Sequence, residues 1–335
     1  MNYEIRKVSF IIKDSTWLIM NNIIHFKILN LLGKGSVGSV YLLVENKNYF
    51  IIKIANKDCN EYLLDEIQTI KKLFKKYEII NRSYPKFYGE IGNNIGIIYP
   101  YFGFYNLKSI KSTNYNINNK HKIQIIRQII EQMITFNNVI HCDINSSNIV
   151  IDIKFDRIIS TIVDFGLMKE NKENIISSCY ITSPESLLTL DKYKSCISDY
   201  INIMKHDYYG LFSIIIDLFS RKTFWSNMIF YFTNIIGIDC NIFNSEDCKY
   251  IFVYCWYKFY YSSIDELPNN TFKKLISSIE ENIINKDNFI SFDIFIDNIE
   301  IENKYMRDFL KKLIHFNPDQ RPSLDELLDH KFLCE

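Results

Sequence analysis

The chain has 335 residues, 47% apolar and 23% charged, which suits two lobes or one large domain with a sizeable core and excludes a disordered polar polymer. Lys+Arg and Asp+Glu number 39 each, so no bulk charge directs it to nucleic acid or another polyanion. Asn, Ile, Lys and Tyr are abundant while Gly and Pro are scarce, a bias that an AT-rich coding genome explains, so the Asn-rich stretch 114–119 carries no functional weight. In chain order, residues 1–25 show no strong pattern and read as an extra strand or a packed extension. Strand-like runs follow: Phe26-Lys27-Ile28-Leu29, then Val40-Tyr41-Leu42-Leu43-Val44, then Tyr49-Phe50-Ile51-Ile52-Lys53-Ile54. Leu63, Ile67, Ile70 and Phe74 recur at helical spacing over 61–75, and 95–102 reads as another apolar strand closed by Gly103. Beyond it the pattern turns helical, with Ile125, Ile126, Ile129, Ile130 and Met133 on one face of 122–136 and further helices over 201–220 and 304–315. The layout is a small β-rich lobe, a short hinge at 100–103 and a larger helical lobe.

Some features argue against other classes. The eight cysteines form no C-x-x-C pair and no zinc-type spacing with histidine. The opening Met1-Asn2-Tyr3-Glu4 lacks the basic-then-apolar pattern of a secretory signal, so a reducing, cytoplasmic location is expected. The most apolar stretch, 208–238, is broken by Asp217, Arg221 and Lys222; it is expected to be a buried core helix and not a membrane span. The aromatic run 252–257 is expected to be core.

The chemistry-bearing motifs come in a fixed order. Leu32-Gly33-Lys34-Gly35-Ser36-Val37-Gly38-Ser39-Val40 fits G-x-G-x-x-G-x-V between two strands, where small residues let backbone N–H groups approach phosphate oxygens. A strand after the glycines speaks against a dinucleotide-binding turn, which needs a helix there. Lys53 alternates into the next strand as a point charge for phosphates, and Glu66, favoured over Glu61 by the apolar phase of its helix, is placed to pair with it. His141-Cys142-Asp143-Ile144-Asn145-Ser146-Ser147-Asn148 then supplies an Asp and, five residues on, an Asn. Val163-Asp164-Phe165-Gly166 supplies a second Asp. Each of these polar residues alone reads as a surface or capping group; their joint order does not.

Taken together, the glycine loop, strand lysine, helix glutamate, H-x-D-x-x-x-x-N and D-F-G resemble the eukaryotic-type protein kinases over roughly 26–332. Ser183-Pro184-Glu185 looks like that family's A-P-E. Arg321, in His315-Phe316-Asn317-Pro318-Asp319-Gln320-Arg321-Pro322, looks like the arginine that pairs with its glutamate. Asp207-Tyr208-Tyr209-Gly210-Leu211 looks like the start of the central buried helix, whose Asp braces the catalytic loop. The resemblance implies an α+β, bilobal fold with a β-rich N-lobe at about 26–102, a helical C-lobe at about 103–332 and an N-terminal extension at 1–25. It implies ATP and Mg²⁺ as cofactors, and Ser/Thr hydroxyls of protein substrates as acceptors. It assigns residues 32–40 and Lys53 to the nucleotide, Val40 to the adenine roof and Glu66 to Lys53. Tyr99 falls at the gatekeeper, with 100–102 as hinge. Asn148 and Asp164 fall to the metal, and Asp143 is the catalytic carboxylate.

Three positions depart from the pattern. Cys142 replaces the arginine that often binds a phosphorylated activation loop, so activity is expected not to depend on phosphorylation of Ser177, Ser178 or Thr182. Asn145 stands where Ser/Thr kinases carry the lysine that supports the transferring phosphoryl group; Lys169 is the substitute considered. Ile51 replaces a common alanine and narrows the adenine pocket. These departures motivate an alternative, a pseudokinase or weakly active scaffold of kinase fold. Against a third reading, a small-molecule phosphotransferase, stand Ser183-Pro184-Glu185 and Arg321, which belong to the protein-substrate platform.

Overall fold

The computed structural model describes residues 2–11, 17–19, 24–45, 47–77, 83–110, 117–136, 138–154, 157–170, 181–196, 202–236, 247–267, 269–280, 291–299 and 301–334. In chain order the elements are β1 (Asn2–Ile11), β2 (Trp17–Ile19), β3 (Ile24–Lys34), β4 (Gly38–Glu45), β5 (Asn48–Ala55), α1 (Asn60–Lys76), β6 (Phe87–Ile91), β7 (Asn94–Pro100), β8 (Tyr105–Asn106), α2 (Leu107–Ile110) and α3 (Asn119–Phe136). There follow β9 (Val139–Ile140), β10 (Ile149–Lys154), β11 (Arg157–Ile162), β12 (Lys169–Glu170), α4 (Pro184–Leu187), α5 (Asp207–Phe219), α6 (Phe224–Phe230), α7 (Asp247–Lys258), α8 (Asn270–Glu280), α9 (Phe292–Asn298), α10 (Lys304–Leu313), α11 (Leu324–Leu328) and α12 (Lys331–Cys334). Contacts gather these into two compact units: Met1–Tyr115 with Thr135–Asn137 and Ser147–Met168, and Asn116–Ile134 with Asn138–Ser146 and Lys169–Glu335.

The first unit is built on an antiparallel sheet in the order β2-β1-β3-β4-β5-β7-β6, with an added β1–β6 pairing. Residues 1–25, which carry no strong pattern in sequence, therefore supply two of its strands. β1 pairs with β3 through Asn2–Ile5 and with β6 through Arg6, Ser9 and Phe10, so the sheet returns on itself. β5 is rich in β-branched and aromatic residues, and its two faces serve two apolar clusters. Ile52 joins Leu43, Ile91 and Ile98, while Ile51 joins Leu63 and Ile67 of α1 with Ile97, Tyr99 and Phe102. Covering of both faces explains why consecutive Ile51 and Ile52 are both buried. α1 forms as its periodicity predicts, burying Leu63, Ile67, Ile70 and Phe74, with Lys75 and Lys76 in the last turn where the helix dipole favours cations. A second, three-stranded sheet, β11-β10-β8, completes the unit.

The second unit is helical around α5, which is buried at every position except Asp217 and Phe219. The single core helix expected over 208–238 is instead broken. α5 ends as Ser220 turns to extended backbone, Arg221 and Lys222 are exposed, and Thr223 caps a new helix, its hydroxyl accepting from the Ser226 N–H. A π-helical segment, Tyr231–Ile236, follows α6. Of the charged residues that interrupt the apolar stretch, Arg221 and Lys222 form the turn between α5 and α6, while Asp217 lies within α5. No described helix is long and apolar enough to cross a membrane. The run 252–257 lies in α7 and is core as expected: Trp256 is fully buried, contacts Tyr209, Phe212, Phe224 and Phe259, and donates its indole N–H to the Thr182 carbonyl at 3.0 Å.

Candidate active site

Within the first unit, antiparallel register sets Lys53 of β5 beside Val40 of β4 on one side and Ile97 of β7 on the other. Period-two alternation turns Lys53 to the same face as Ile51, toward α1. There its Nζ donates to Glu66 Oε2 at 2.7 Å and to Asp164 Oδ1 at 2.8 Å. Glu66 is buried on α1, whereas the competing Glu61 is exposed. Burial alone would push the Lys53 ammonium down; the Glu66 and Asp164 carboxylates outweigh it and hold the pKa above the usual lysine range.

Asn148 and Asp164 are brought together by the β10–β11 hairpin. Ile149 pairs with Ile162, and just beyond it the Val163 N–H donates to the Asn148 carbonyl at 2.9 Å. Asp164 has φ +69°, a left-handed backbone uncommon outside glycine and concentrated at functional positions. Phe165 anchors it, fully buried and edge-on to Phe74 and Phe136.

A cavity of about 230 Å³ opens among these residues. Leu32, Gly33, Val40, Ile51 and Val150 line it, and Lys53, Glu66, Asn148 and Asp164 bring polar groups to it. Of the predicted nucleotide loop, only Leu32, Gly33 and Val40 reach the lining; Lys34, Gly38 and Ser39 end the paired strands and Gly35, Ser36 and Val37 form the turn between them. Gly38 is required by packing, since a Cβ there would lie 2.8 Å from the Ile54 carbonyl oxygen. Gly103 has φ +140°, and a Cβ there would meet the Ile151 backbone.

Two partners in this unit escape sequence reasoning. Asn56 donates to the Gly35 and Ser36 carbonyls, each at 2.9 Å, and accepts from the Ser39 hydroxyl, so it fixes the shape of the glycine turn. Its one signal is an Asn closing a strand ahead of the Lys57-Asp58 turn, where a short amide readily bonds nearby backbone. Tyr99, buried on β7, donates its phenol to Glu66 Oε1 at 2.7 Å. Burial and the Glu66 charge push the phenol pKa well up, so it stays a donor.

In the second unit, the loop carrying Asp143 leans on α5. Asp207 accepts the His141 N–H at 2.6 Å and the Cys142 N–H at 2.9 Å. Burial pushes its carboxyl up to about 7, the two backbone donors working the other way. Cys142 is fully buried at φ +67°, packed with Ile140 and Ile203, its thiol bonded to the Ile140 carbonyl. It behaves as a small hydrophobe. Asn145 donates to Asp143 itself. Lys169, the considered substitute, lies in β12 opposite Ile140. Glu185 and Arg321 meet as a fully buried bidentate pair, Nη2 to Oε2 at 2.9 Å, with the guanidinium over the Tyr209 ring. Of the activation-loop hydroxyls, Ser177 and Ser178 lie outside the described residues, and Thr182 is buried.

The description of a protein kinase domain matches residues 26–333. The chain belongs to the protein kinase family. Its fold is therefore the α+β fold of protein kinases, and the β-rich first unit and helical second unit accord with it. No curated protein matches the chain. Members of the kinase family are phosphotransferases that generally use ATP and Mg²⁺.

Proposed function

We propose that this protein is an active ATP- and Mg²⁺-dependent kinase that phosphorylates Ser and Thr hydroxyls of protein substrates. The observation that carries the reading is Lys53, its ammonium held between Glu66 and Asp164 at a cavity with apolar walls. The fit to the cofactor is chemical. Leu32, Val40, Ile51 and Val150 offer apolar surface to a base, and Lys53 offers a cation to phosphates. Asn148 and Asp164, joined through the Val163 bond, offer the few hard oxygen ligands that Mg²⁺ takes from protein. ATP with Mg²⁺, when bound, supplies a transferable phosphoryl group with its charge partly neutralised. The chain's own part is to hold that group with Lys53, to hold the metal with Asn148 and Asp164, and to orient the acceptor hydroxyl with the Asp143 carboxylate. Positioning and charge, more than covalent chemistry, govern this reaction class.

Protein substrates are favoured by the buried Glu185–Arg321 pair of the substrate platform. Ser/Thr is the default acceptor class of the reading, since residues 143–148 carry neither the lysine of Ser/Thr-directed loops nor the arginine of tyrosine-directed ones. The reaction belongs in this reading to the reducing cytoplasm. The scaffold alternative draws on Cys142, Asn145 and Ile51. Transfer of labelled phosphate from ATP with Mg²⁺ to generic protein substrates tests the choice, with Asp143→Ala as control. Label on Ser and Thr well above the control is expected. Nucleotide binding with no transfer above the control would leave the scaffold.

A further inference from the structure

We infer that Asn145 is a positioning residue for the Asp143 carboxylate, and that position 145 gives no support to the phosphoryl group. The inference rests on the kinase reading above. The side-chain amide of Asn145 has two N–H donors. Nδ2 donates to Asp143 Oδ1 at 2.9 Å and to the Asp143 carbonyl at 3.1 Å. Both partners are acceptors when Asp143 is ionised, so the amide nitrogen, not its oxygen, must face them. With Nδ2 bonded to two oxygens of one residue, the donor end of the amide faces Asp143.

The surroundings explain why the side chain needs this. α5 fixes the backbone of the loop at several points. Asp207 holds the His141 and Cys142 N–H groups. Gly210 lets the helix approach Ile144 so closely that a Cβ would fall 2.3 Å from its carbonyl oxygen. The Ser146 hydroxyl donates to Asp217. Residues 207, 210 and 217 recur on one helix face, so one rigid element sets residues 141–146. What it does not set is the rotation of the Asp143 carboxylate about its own side-chain bonds. Asn145, itself buried, supplies that constraint from within the loop. A lysine at this position is a flexible point charge that can reach outward; a short, planar amide bonded back to Asp143 cannot. The exchange gives up charge support and gains orientation.

The test compares full-length wild type with Asn145→Ala and Asn145→Asp. Asn145→Ala is expected to lower kcat about 10–100-fold with the KM for ATP and the melting temperature little changed, as loss of one orienting contact implies. Asn145→Asp keeps shape but turns the donor into a second carboxylate beside Asp143, and is expected to be no better than alanine. A space-filling role predicts the opposite order, with aspartate near wild type. Separately, the Asn145 side-chain ¹⁵N–¹H signals are expected to show slowed exchange that Asp143→Ala abolishes, a readout independent of turnover. Asn145→Ala retaining kcat within twofold, Asn145→Asp matching wild type, or exchange indifferent to Asp143→Ala would each overturn the positioning role. If wild type itself transfers no more phosphate than Asp143→Ala while the amide stays protected, the kinase reading falls and takes this role with it.

Discussion

Tyr99 shows how much a single hydroxyl can decide. Glu66 is shared: one carboxylate oxygen takes the Lys53 ammonium and the other the Tyr99 phenol. A buried bond to a charged acceptor contributes about 1.5–3 kcal/mol. Tyr99→Phe removes the donor and keeps the ring. The expected outcome is a lower melting temperature and weaker nucleotide binding, read by calorimetry and titration, because Glu66 then depends on Lys53 alone. Unchanged binding would show that the lysine suffices. Sequence alone places Tyr99 at the gatekeeper and pairs Lys53 with Glu66. It does not reveal the third member, because strand β7 and helix α1 meet only in the folded unit.

Among the elements, β1 carries the least sequence signal and a large structural consequence. It lies outside the stretch matched by the protein kinase description, yet it pairs with β3 along Asn2–Ile5 and with β6 at Arg6, Ser9 and Phe10. Without it, two strands would present unpaired N–H and C=O groups, the usual template for edge-to-edge association. Deleting residues 1–11 is expected to lower the melting temperature and to produce concentration-dependent association, measured by light scattering. A truncated protein that stays monomeric and equally stable would show that β1 merely leans on the sheet. α1 contrasts with it: its 3–4 residue apolar spacing and its inward glutamate were legible because amphipathic periodicity is written locally.

At the scale of the whole molecule, buried ionisable groups make stability depend on pH. His206 is fully buried, bonded through Nδ1 to the Ser183 hydroxyl, and burial together with the Arg321 cation pushes its pKa down to about 3. Unfolded, the same imidazole titrates near its ordinary value of about 6.5. The folded pKa is the lower one, so the contribution of His206 is fully present above about 6.5. It is lost as pH falls from there toward about 3, at about 1.4 kcal/mol per pH unit. His206→Asn, which keeps a polar side chain for Ser183, is expected to be less stable than wild type at pH 7. Its deficit should shrink as pH falls toward 4, seen as converging melting temperatures. A constant difference would show that the His206 imidazole titrates in the fold as it does unfolded.

Residues in fixed order and spacing determined the family and the α+β fold class and suggested the Lys53–Glu66 pair, and the resemblance they carry implied the Glu185–Arg321 pair and the bracing role of Asp207. The first three rest on local pattern plus motif order, the last two on the resemblance alone. Tertiary structure alone decided that Asn145 turns back to Asp143, that Cys142 packs into an apolar cluster, that Asn56 holds the glycine turn and that β1 joins both β3 and β6. It also decided that the apolar stretch after Asp207 folds back at Ser220. The reason is common to all of them. Spacing specifies which element a residue sits on and which face it shows, whereas a polar side chain chooses among acceptors by distance and burial, quantities that exist only once the backbone has closed around them.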